Sequence, residues 1–351
     1  MICLGFDTSN YTSSVAAFDG SGGENLSRLL PVKAGELGLR QSEALFSHIK
    51  RLPELSDRLF APLDPRELGA VGVSTRPRAV EGSYMPCFLA GESQARVLAS
   101  ALHLPLFEFS HQQGHIAAVL WSAGRLDLLG SEFLAWHLSG GTTELLLVRS
   151  DPSGEIRCEK LGGSTDISAG QLIDRTGQLL GLDFPAGKAL DALANEATGN
   201  RQQAIGTEEL GSGEAGTSIA CPPEAESRPI CHSERSEESV PPSVRREYFR
   251  VKVKGCEFSL SGVQNQVQDY RAKGASEAET AYFALRSVVE AVKRTTQNAR
   301  KQYPLPVIFS GGVASNAMLR REMPEAVFGA PQYSTDNAMG VAVLTWLKMK
   351  D

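Results

Sequence analysis

The stretch EFLAWHLSGGTTELLLVRS, residues 132–150, decides the fold. Two apolar runs, 132–139 and 144–150, flank the turn GGTT and read as a β-hairpin. A helix is expected next, over 169–182, where Leu172, Ile173, Leu179 and Leu180 recur at helical spacing. The same order stands at the N-terminus. Residues 2–7 (ICLGFD) and 13–18 (SSVAAF) are short apolar runs on either side of TSNYT. A helix over 40–51, a buried strand over 69–75 and a helix over 86–102 follow. Helices over 276–302, 314–322 and 336–349 and a strand over 306–310 complete the pattern. Hairpin then helix, occurring twice, predicts two similar α/β lobes, at 1–110 and 111–351, rather than one sheet. No sequence repeat is visible, so the duplication rests on the order of elements.

Residues 197–247 break the second lobe. The segment is rich in Glu, Ser, Gly, Pro and Arg and nearly lacks large apolar residues, so it reads as a disordered surface insertion. Cys231 and His232 within it are not expected to bind metal. The remaining length, with 42% hydrophobic residues overall, suffices for one or two cores. Six scattered cysteines without a CxxC fit neither a disulfide framework nor a zinc ribbon. MICLGFDTSN enters a strand directly, with no basic leader, and no run of about 20 apolar residues occurs. A cytoplasmic protein with reduced thiols and no membrane span is expected. The net charge of −6 provides no global basic field for nucleic acid, so an RNA substrate would need a local patch or a partner.

Four motifs carry chemistry. In SHQQGHIAAV, His111 and His115 are four apart, which on a helix puts both imidazoles on one face. By spacing alone the pair fits two metal ligands or two helix-surface histidines. Position 112 is Gln, so the glutamate of an HExxH protease is absent, and His48, His103, His137 and His232 show no comparable grouping. In LSGGTTEL (138–145) a Gly-Gly turn leaves N–H groups of Ser139 to Thr142 free to cradle phosphate, or is an ordinary hairpin turn. In FSGGVASNAMLR (309–320) a strand ends, two glycines turn and a helix begins near Ser315; its N-terminus favours an anion or a ribose hydroxyl, or is simply capped. In STDNAMGVAV (334–343), Asp336 sits at an expected helix start, as an N-cap or as the carboxylate of a two-His, one-carboxylate site suited to Zn²⁺ or Fe²⁺.

Taken in order, these motifs resemble one family, the TsaD/Gcp threonylcarbamoyl transferases that modify tRNA. The resemblance covers nearly the whole chain apart from 197–247. It implies an α/β fold of the actin/sugar-kinase (ASKHA, duplicated RNase H-like) type, two-lobed with a central nucleotide cleft. It implies one divalent metal, Fe²⁺ or Zn²⁺, on His111, His115 and Asp336. Nucleotide contacts would fall on Ser139, Gly140, Gly141 and Thr142, on Asp174 in QLIDRTG, on Gly187 in FPAGK and on Asn316 in VASNAML. FSLSG (258–262) is similar to the family's FSFSG stretch. The implied reaction moves a threonylcarbamoyl group from threonylcarbamoyl-adenylate to the exocyclic amine of the tRNA adenosine 3′ of the anticodon, releasing AMP. A paralogous ASKHA subunit and a small ATPase are the implied partners, with adenylate or ATP as ligand.

Several positions depart from the family. Its turn is SGGHT, and this chain has Thr142 at the histidine. Its hairpin is ETSCDET, and here DTSNYTS lacks the acidic residue near Tyr11. Its GPG loop becomes TRPRAVEG (75–82), and its paired aspartates become Asp166-Ile167. These departures keep two alternatives open: a catalytically weak nucleotide-binding paralogue acting as an assembly partner, and a carbamoyl transferase acting on a small molecule. No side chain is assigned as a general base.

Overall fold

The computed structural model describes residues 1–9, 11–32, 39–150, 155–197 and 248–350. Strands β1 (Ile2–Asp7), β2 (Thr12–Phe18) and β3 (Gly23–Leu29) form an antiparallel meander. Strands β4 (Leu68–Arg76) and β5 (Leu106–Ser110) add in parallel beside β1, giving the order β3-β2-β1-β4-β5. The second sheet repeats the plan. Its meander is β6 (Glu132–Leu138), β7 (Thr143–Ser150) and β8 (Ile156–Ser164), with β9 (Glu257–Phe258) as an added edge. Strands β10 (Val307–Ser310) and β11 (Val327–Phe328) extend it in parallel beside β6. The duplicated α/β lobes are therefore present, each with a third meander strand that apolar patterning misses. In β3, GENLSRL, only two leucines are apolar, and most of the strand is exposed.

Helix α1 (Gln41–Phe60) runs past the expected 40–51 and through Pro53, and α2 is Phe88–Leu102. Both cover the outer face of the first sheet, where Leu4, Phe6, Val71 and Val73 meet Leu52 and Leu55. Next come α3 (His111–Ser122), α4 (Ala169–Leu179) and α5 (187–197). Then follow α6 (Ser261–Ala272), α7 (Glu277–Gln302), α8 (Ala317–Glu322), α9 (Pro331–Ser334) and α10 (Met339–Lys350). Helices α4, α6 and α7 cover the outer face of the second sheet, over Leu134, Trp136, Leu145 and Leu147. The insertion expected over 197–247 lies outside the described residues except for Ala197, which is buried at the end of α5. Among the described residues, no helix is long and apolar enough to cross a membrane.

Between the sheets lies a layer of two helices. Helix α3 packs on the inner face of the second sheet, against Phe133, Ala135, Leu146 and Val148. Every residue from Gln112 to Leu120 in it is buried, the pattern of a helix enclosed on all sides. Helix α10 packs on the first sheet, with Met339, Ala342 and Val343 against Ala16 and Phe18. The two helices cross at Gly114 and Gly340.

This crossing leaves no room for a methyl group. A Cβ at Gly340 would stand 1.8 Å from the Gly114 carbonyl oxygen and 2.8 Å from the Ala118 nitrogen, both backbone atoms. Gly340→Ala is expected to cost about 3 kcal/mol, because the helices must separate. Gly141→Ala, whose Cβ would meet nothing within 4 Å, serves as the control. Urea unfolding in chelator is the measurement, and a wild-type midpoint for Gly340→Ala would refute the crossing.

Candidate metal centre and active-site cleft

Helix α3 begins where β5 ends. Ser110 Oγ accepts the Gln113 backbone N–H at 3.2 Å, and the Gln113 side-chain oxygen accepts the Ser110 N–H at 2.7 Å. This reciprocal cap sets His111 as the first helical residue. His111 and His115 then lie one turn apart on one face, with ring centroids 4.3 Å apart.

Asp336 reaches them from the turn between α9 and α10. The expected helix start at 336 is displaced: α10 begins at Met339, so Asp336 is not its N-cap. Ala338 holds that position, its carbonyl accepting the Ala342 N–H at 3.0 Å, and Asn337 steadies the turn before it: its Oδ1 accepts the Met339 N–H at 3.1 Å while its amide nitrogen donates to the Tyr333 and Thr335 carbonyls. Ser14 Oγ and Asn25 Oδ1 accept the Ala338 N–H. With the turn held at both ends, Asp336 Oδ1 lies 3.4 Å from His111 Nε2 and 3.3 Å from His115 Nε2. Among the described residues this trio is the group able to hold a metal ion, with one ligand atom from each within 4.8 Å of the others.

Asp7, at the end of β1, was not anticipated. It is fully buried; its Oδ1 lies 2.9 Å from His111 Nδ1 and accepts the Ser74 hydroxyl. The contact engages Nδ1 of His111 and leaves Nε2 facing Asp336, the way a carboxylate orients a ligating histidine. Burial pushes the His111 pKa down, but Asp7 and Asp336 outweigh it and raise it to about 10. Burial pushes the Asp336 carboxyl up, and the two histidines facing it overcome this and hold it well below the carboxylate range. Burial first, and the His111 charge second, lower the His115 pKa. Both ring nitrogens of His115 are buried without a hydrogen bond. Such a neutral, orphaned imidazole beside a carboxylate and a second imidazole fits a divalent cation, whose coordination would satisfy it.

The expectation that the remaining histidines stand apart fails for His137. Strand alternation turns Leu134, Trp136 and Leu138 outward and Phe133, Ala135 and His137 inward, towards α3. Its ring centroid lies 4.9 Å from that of His115, and its Nδ1 is 3.3 Å from Ser310 Oγ. A polar residue at an inward position of an apolar strand was the available signal. His48 is also buried, its Nδ1 2.8 Å from Ser13 Oγ, and burial pushes its pKa down to about 4. His103 ends α2 in a left-handed conformation, and His232 lies outside the described residues.

Beside the trio opens a cavity of 380 Å³, whose wall includes Ser139, Gly140, Asp174, Gly187, Asn316 and Asp336. Five of the expected nucleotide positions thus face one space, and Asp336 joins that space to the trio. Gly141 and Thr142 are not in the wall. The turn is also partly closed on itself: Ser139 N–H donates to the Thr142 carbonyl at 2.8 Å, and Thr142 N–H to Ser139 Oγ at 3.1 Å. The expected four-donor nest therefore reduces to Gly140 and Gly141. Ser168, the cap of α4, seats this turn by donating its hydroxyl to the Gly140 carbonyl at 2.6 Å. Asp174 accepts the Ala186 N–H at 2.9 Å, and burial raises its pKa. Asn316 caps α8 through the Leu319 N–H at 2.9 Å and donates its amide to Asp191 at 2.7 Å. Asp191 also lines the cavity and was missed, because its partners are more than a hundred residues away.

The family model described as TsaD, tRNA N6-adenosine threonylcarbamoyltransferase, matches residues 37–221. A protein of that description from Enterococcus faecalis is 30% identical over 274 residues, covering 76% of this chain and 63% of the relative's length. One from Carboxydothermus hydrogenoformans is 27% identical over 308 residues, covering 84% of this chain and 75% of the relative. Two solved structures share the fold. The Acidaminococcus fermentans (R)-2-hydroxyglutaryl-CoA dehydratase component A has a TM-score of 0.53 at 13% identity, with full coverage of both chains. Full-length HypF in its phosphate- and nucleotide-bound form has 0.53 at 15% identity, covering 99% of this chain and 46% of that one. The architecture is the two-lobed actin/sugar-kinase fold.

Metal content measured by plasma emission should fall towards zero in His115→Ala. Asp7→Asn keeps all three ligands but loses the anionic partner of His111, so its metal affinity should drop roughly tenfold to a hundredfold. Unchanged stoichiometry in His115→Ala would remove the trio as a metal site.

Proposed function

Because the chain belongs to the TsaD family of tRNA N6-adenosine threonylcarbamoyltransferases, we propose that it transfers a threonylcarbamoyl group from threonylcarbamoyl-adenylate to tRNA. The acceptor is the exocyclic amine of the adenosine 3′ of the anticodon. The observation that carries this reading is the double position of Asp336, in the metal-binding trio and in the wall of the cavity that fits a nucleotide. A phosphate in that cavity lies beside the trio, where the reacting anhydride must be.

In the proposed reaction the amine nitrogen attacks the carbamoyl carbon, a C–N bond forms, the carbon–oxygen bond to phosphate breaks, the amine proton passes to solvent, and AMP leaves. Gly140, in the cavity wall, offers its backbone N–H to the phosphate. Asp174 and Asn316 hold the ribose, and Asp191 fixes the Asn316 amide so that its second N–H faces the sugar. Asp7 keeps His111 oriented. Fe²⁺ or Zn²⁺ on His111, His115 and Asp336 would supply Lewis acidity that stabilises charge developing on phosphate and carbonyl oxygens. A paralogous subunit of the same fold and a small ATPase are proposed as partners, in the cytoplasm.

One observation favours a slower transferase, or a paralogue that chiefly binds and assembles. Tyr11 stands where the family has an acidic residue; it lines the cleft and packs edge-on against Phe184 across it, at 5.9 Å. A carboxylate there could accept the amine proton, and a phenol at neutral pH cannot.

The assay is product formation on unmodified tRNA with supplied threonylcarbamoyl-adenylate, with the Enterococcus faecalis relative run in parallel. Turnover is expected below the relative's. Thr142→His, which exchanges a neutral hydrogen bond for a charge-assisted one worth on the order of 1 kcal/mol more, should raise it about fivefold. Asp174→Ala should weaken AMP binding in calorimetry by roughly ten- to a hundredfold. A wild-type protein that neither modifies tRNA nor binds AMP would overturn the proposal.

A further inference from the structure

Glu144 is a buried carboxylate beside the metal-binding trio that the proposed reaction does not use. It is the register partner of His137 on adjacent antiparallel strands, and alternation puts both on the α3 face. Two cations converge on one of its oxygens. Arg78 NH2 lies 3.0 Å from Glu144 Oε1, and Lys160 Nζ lies 3.1 Å from the same atom. The carboxylate side chain is 10% exposed, while the Arg78 and Lys160 side chains are 47% and 52% exposed. Two positive charges on one negative charge leave a net positive charge that faces water.

The cluster is built rather than incidental. Arg78 comes from the segment 75–82, TRPRAVEG, where the chain leaves the pattern it resembles. That loop is tied to the metal-bearing helix, because the Gln112 N–H donates to the Pro77 carbonyl at 3.1 Å. The Arg78 N–H donates to Ser83 Oγ at 3.0 Å, which closes the loop beneath the guanidinium. Lys160 comes from β8, beside the strand that carries Glu144. None of Arg78, Glu144 and Lys160 lines the nucleotide cavity. The succession Glu144, His137, His115 and Asp336 links the cluster to that cavity through the trio.

We propose that Arg78 and Lys160, held together on Glu144, bind an oxyanion of the acceptor substrate outside the nucleotide cavity, the oxyanion being a phosphodiester of RNA. The inference rests on the transferase reading for the identity of the acceptor, and on the cluster's own geometry for the site. A chain of net charge −6 has no global field for nucleic acid, so a local contact of this kind is what an RNA acceptor would require. Arg presents paired donors that match phosphate or carboxylate oxygens, and the buried Glu144 holds both cations in place before the ligand arrives.

The experiment measures binding of an unmodified tRNA transcript by fluorescence anisotropy across a salt series, with AMP present. It compares wild type, Arg78→Gln, Lys160→Gln and Arg78→Lys. Each single change leaves Glu144 one cation, so folding is expected to persist, and melting temperature, metal content and AMP affinity provide the check. Each Gln variant should bind tRNA roughly threefold to tenfold more weakly and lose about one from the slope of log affinity against log salt. Arg78→Lys should keep the wild-type slope, which a merely structural role for the guanidinium would not predict. Wild-type affinity and slope in both Gln variants would overturn the site. Should wild type bind no tRNA, the RNA acceptor fails and inorganic phosphate becomes the probe, titrated by calorimetry with AMP present. Phosphate binding that is lost in Arg78→Gln and Lys160→Gln would retain the oxyanion site for a small acceptor. Phosphate binding that is absent or unchanged in them would overturn it.

Discussion

Two helices meet in this protein at a point where neither carries a side chain, and the rest of the site depends on that contact. Gly340 of α10 lies directly on the Gly114 carbonyl of α3. Ala342 of the same helix, and Ala338 just before it, press onto Gly5 of β1, where a Cβ would stand 2.5 Å from the Ala338 oxygen. Helix α10 is thereby sandwiched between the first sheet and α3, and α3 between α10 and the second sheet. His111 and His115 flank Gly114 on one helix, and Asp336 precedes Gly340 in the turn that starts the other. Side chains separated by more than two hundred residues come within reach because the backbones that carry them touch. Larger residues at the crossing would move carboxylate and imidazoles apart by an amount comparable to a metal–ligand bond.

Burying so many ionisable groups is tolerable only because their charges alternate in space. Asp7, His111 and Asp336 form one carboxylate–imidazole–carboxylate run, and Arg78 and Lys160 close a second run on Glu144. Each desolvated charge has an opposite neighbour at hydrogen-bond or ion-pair distance, which is what offsets the cost of taking it from water. His115 and His137 stand between the two runs, both held neutral chiefly by burial. The two runs are of different kinds. The first contains His111, His115 and Asp336, the group able to hold a metal ion, and borders the cavity, while the second opens towards solvent.

The departures from the pattern this chain resembles include one residue of the cavity wall, Tyr11. Asp174, Gly187 and Asn316 keep their places in the cavity wall. Tyr11, Thr142 and the 75–82 loop differ, and they belong to the hairpin turns and the loop around the trio. A fold shared with a dehydratase component A and with HypF says little about the chemistry it hosts.

Local sequence determined the two lobes, because hairpins, helices and their caps are set by contacts within a few residues. It also marked His111 and His115, since an i,i+4 spacing shares a helix face whatever surrounds it. The SGG and SGGVASN turns were legible as motifs, while Asp174 came only from the family resemblance, and the hydrogen bonds that occupy Ser139, Thr142 and Asn316 were not legible. Tertiary structure decided the rest. Asp336 proved free of helix capping because the helix starts three residues later, where the Asn337 side chain, fixed by the turn before it, accepts the Met339 N–H. Asp7, His137, Asp191, Glu144 and Arg78 each read as an ordinary polar residue in its own strand, helix or loop. Their roles arise only across the sheet, the helix crossing or the cleft. Short-range spacing records what one element presents on one face, whereas a site between elements depends on which faces the packing of glycines and apolar side chains brings together.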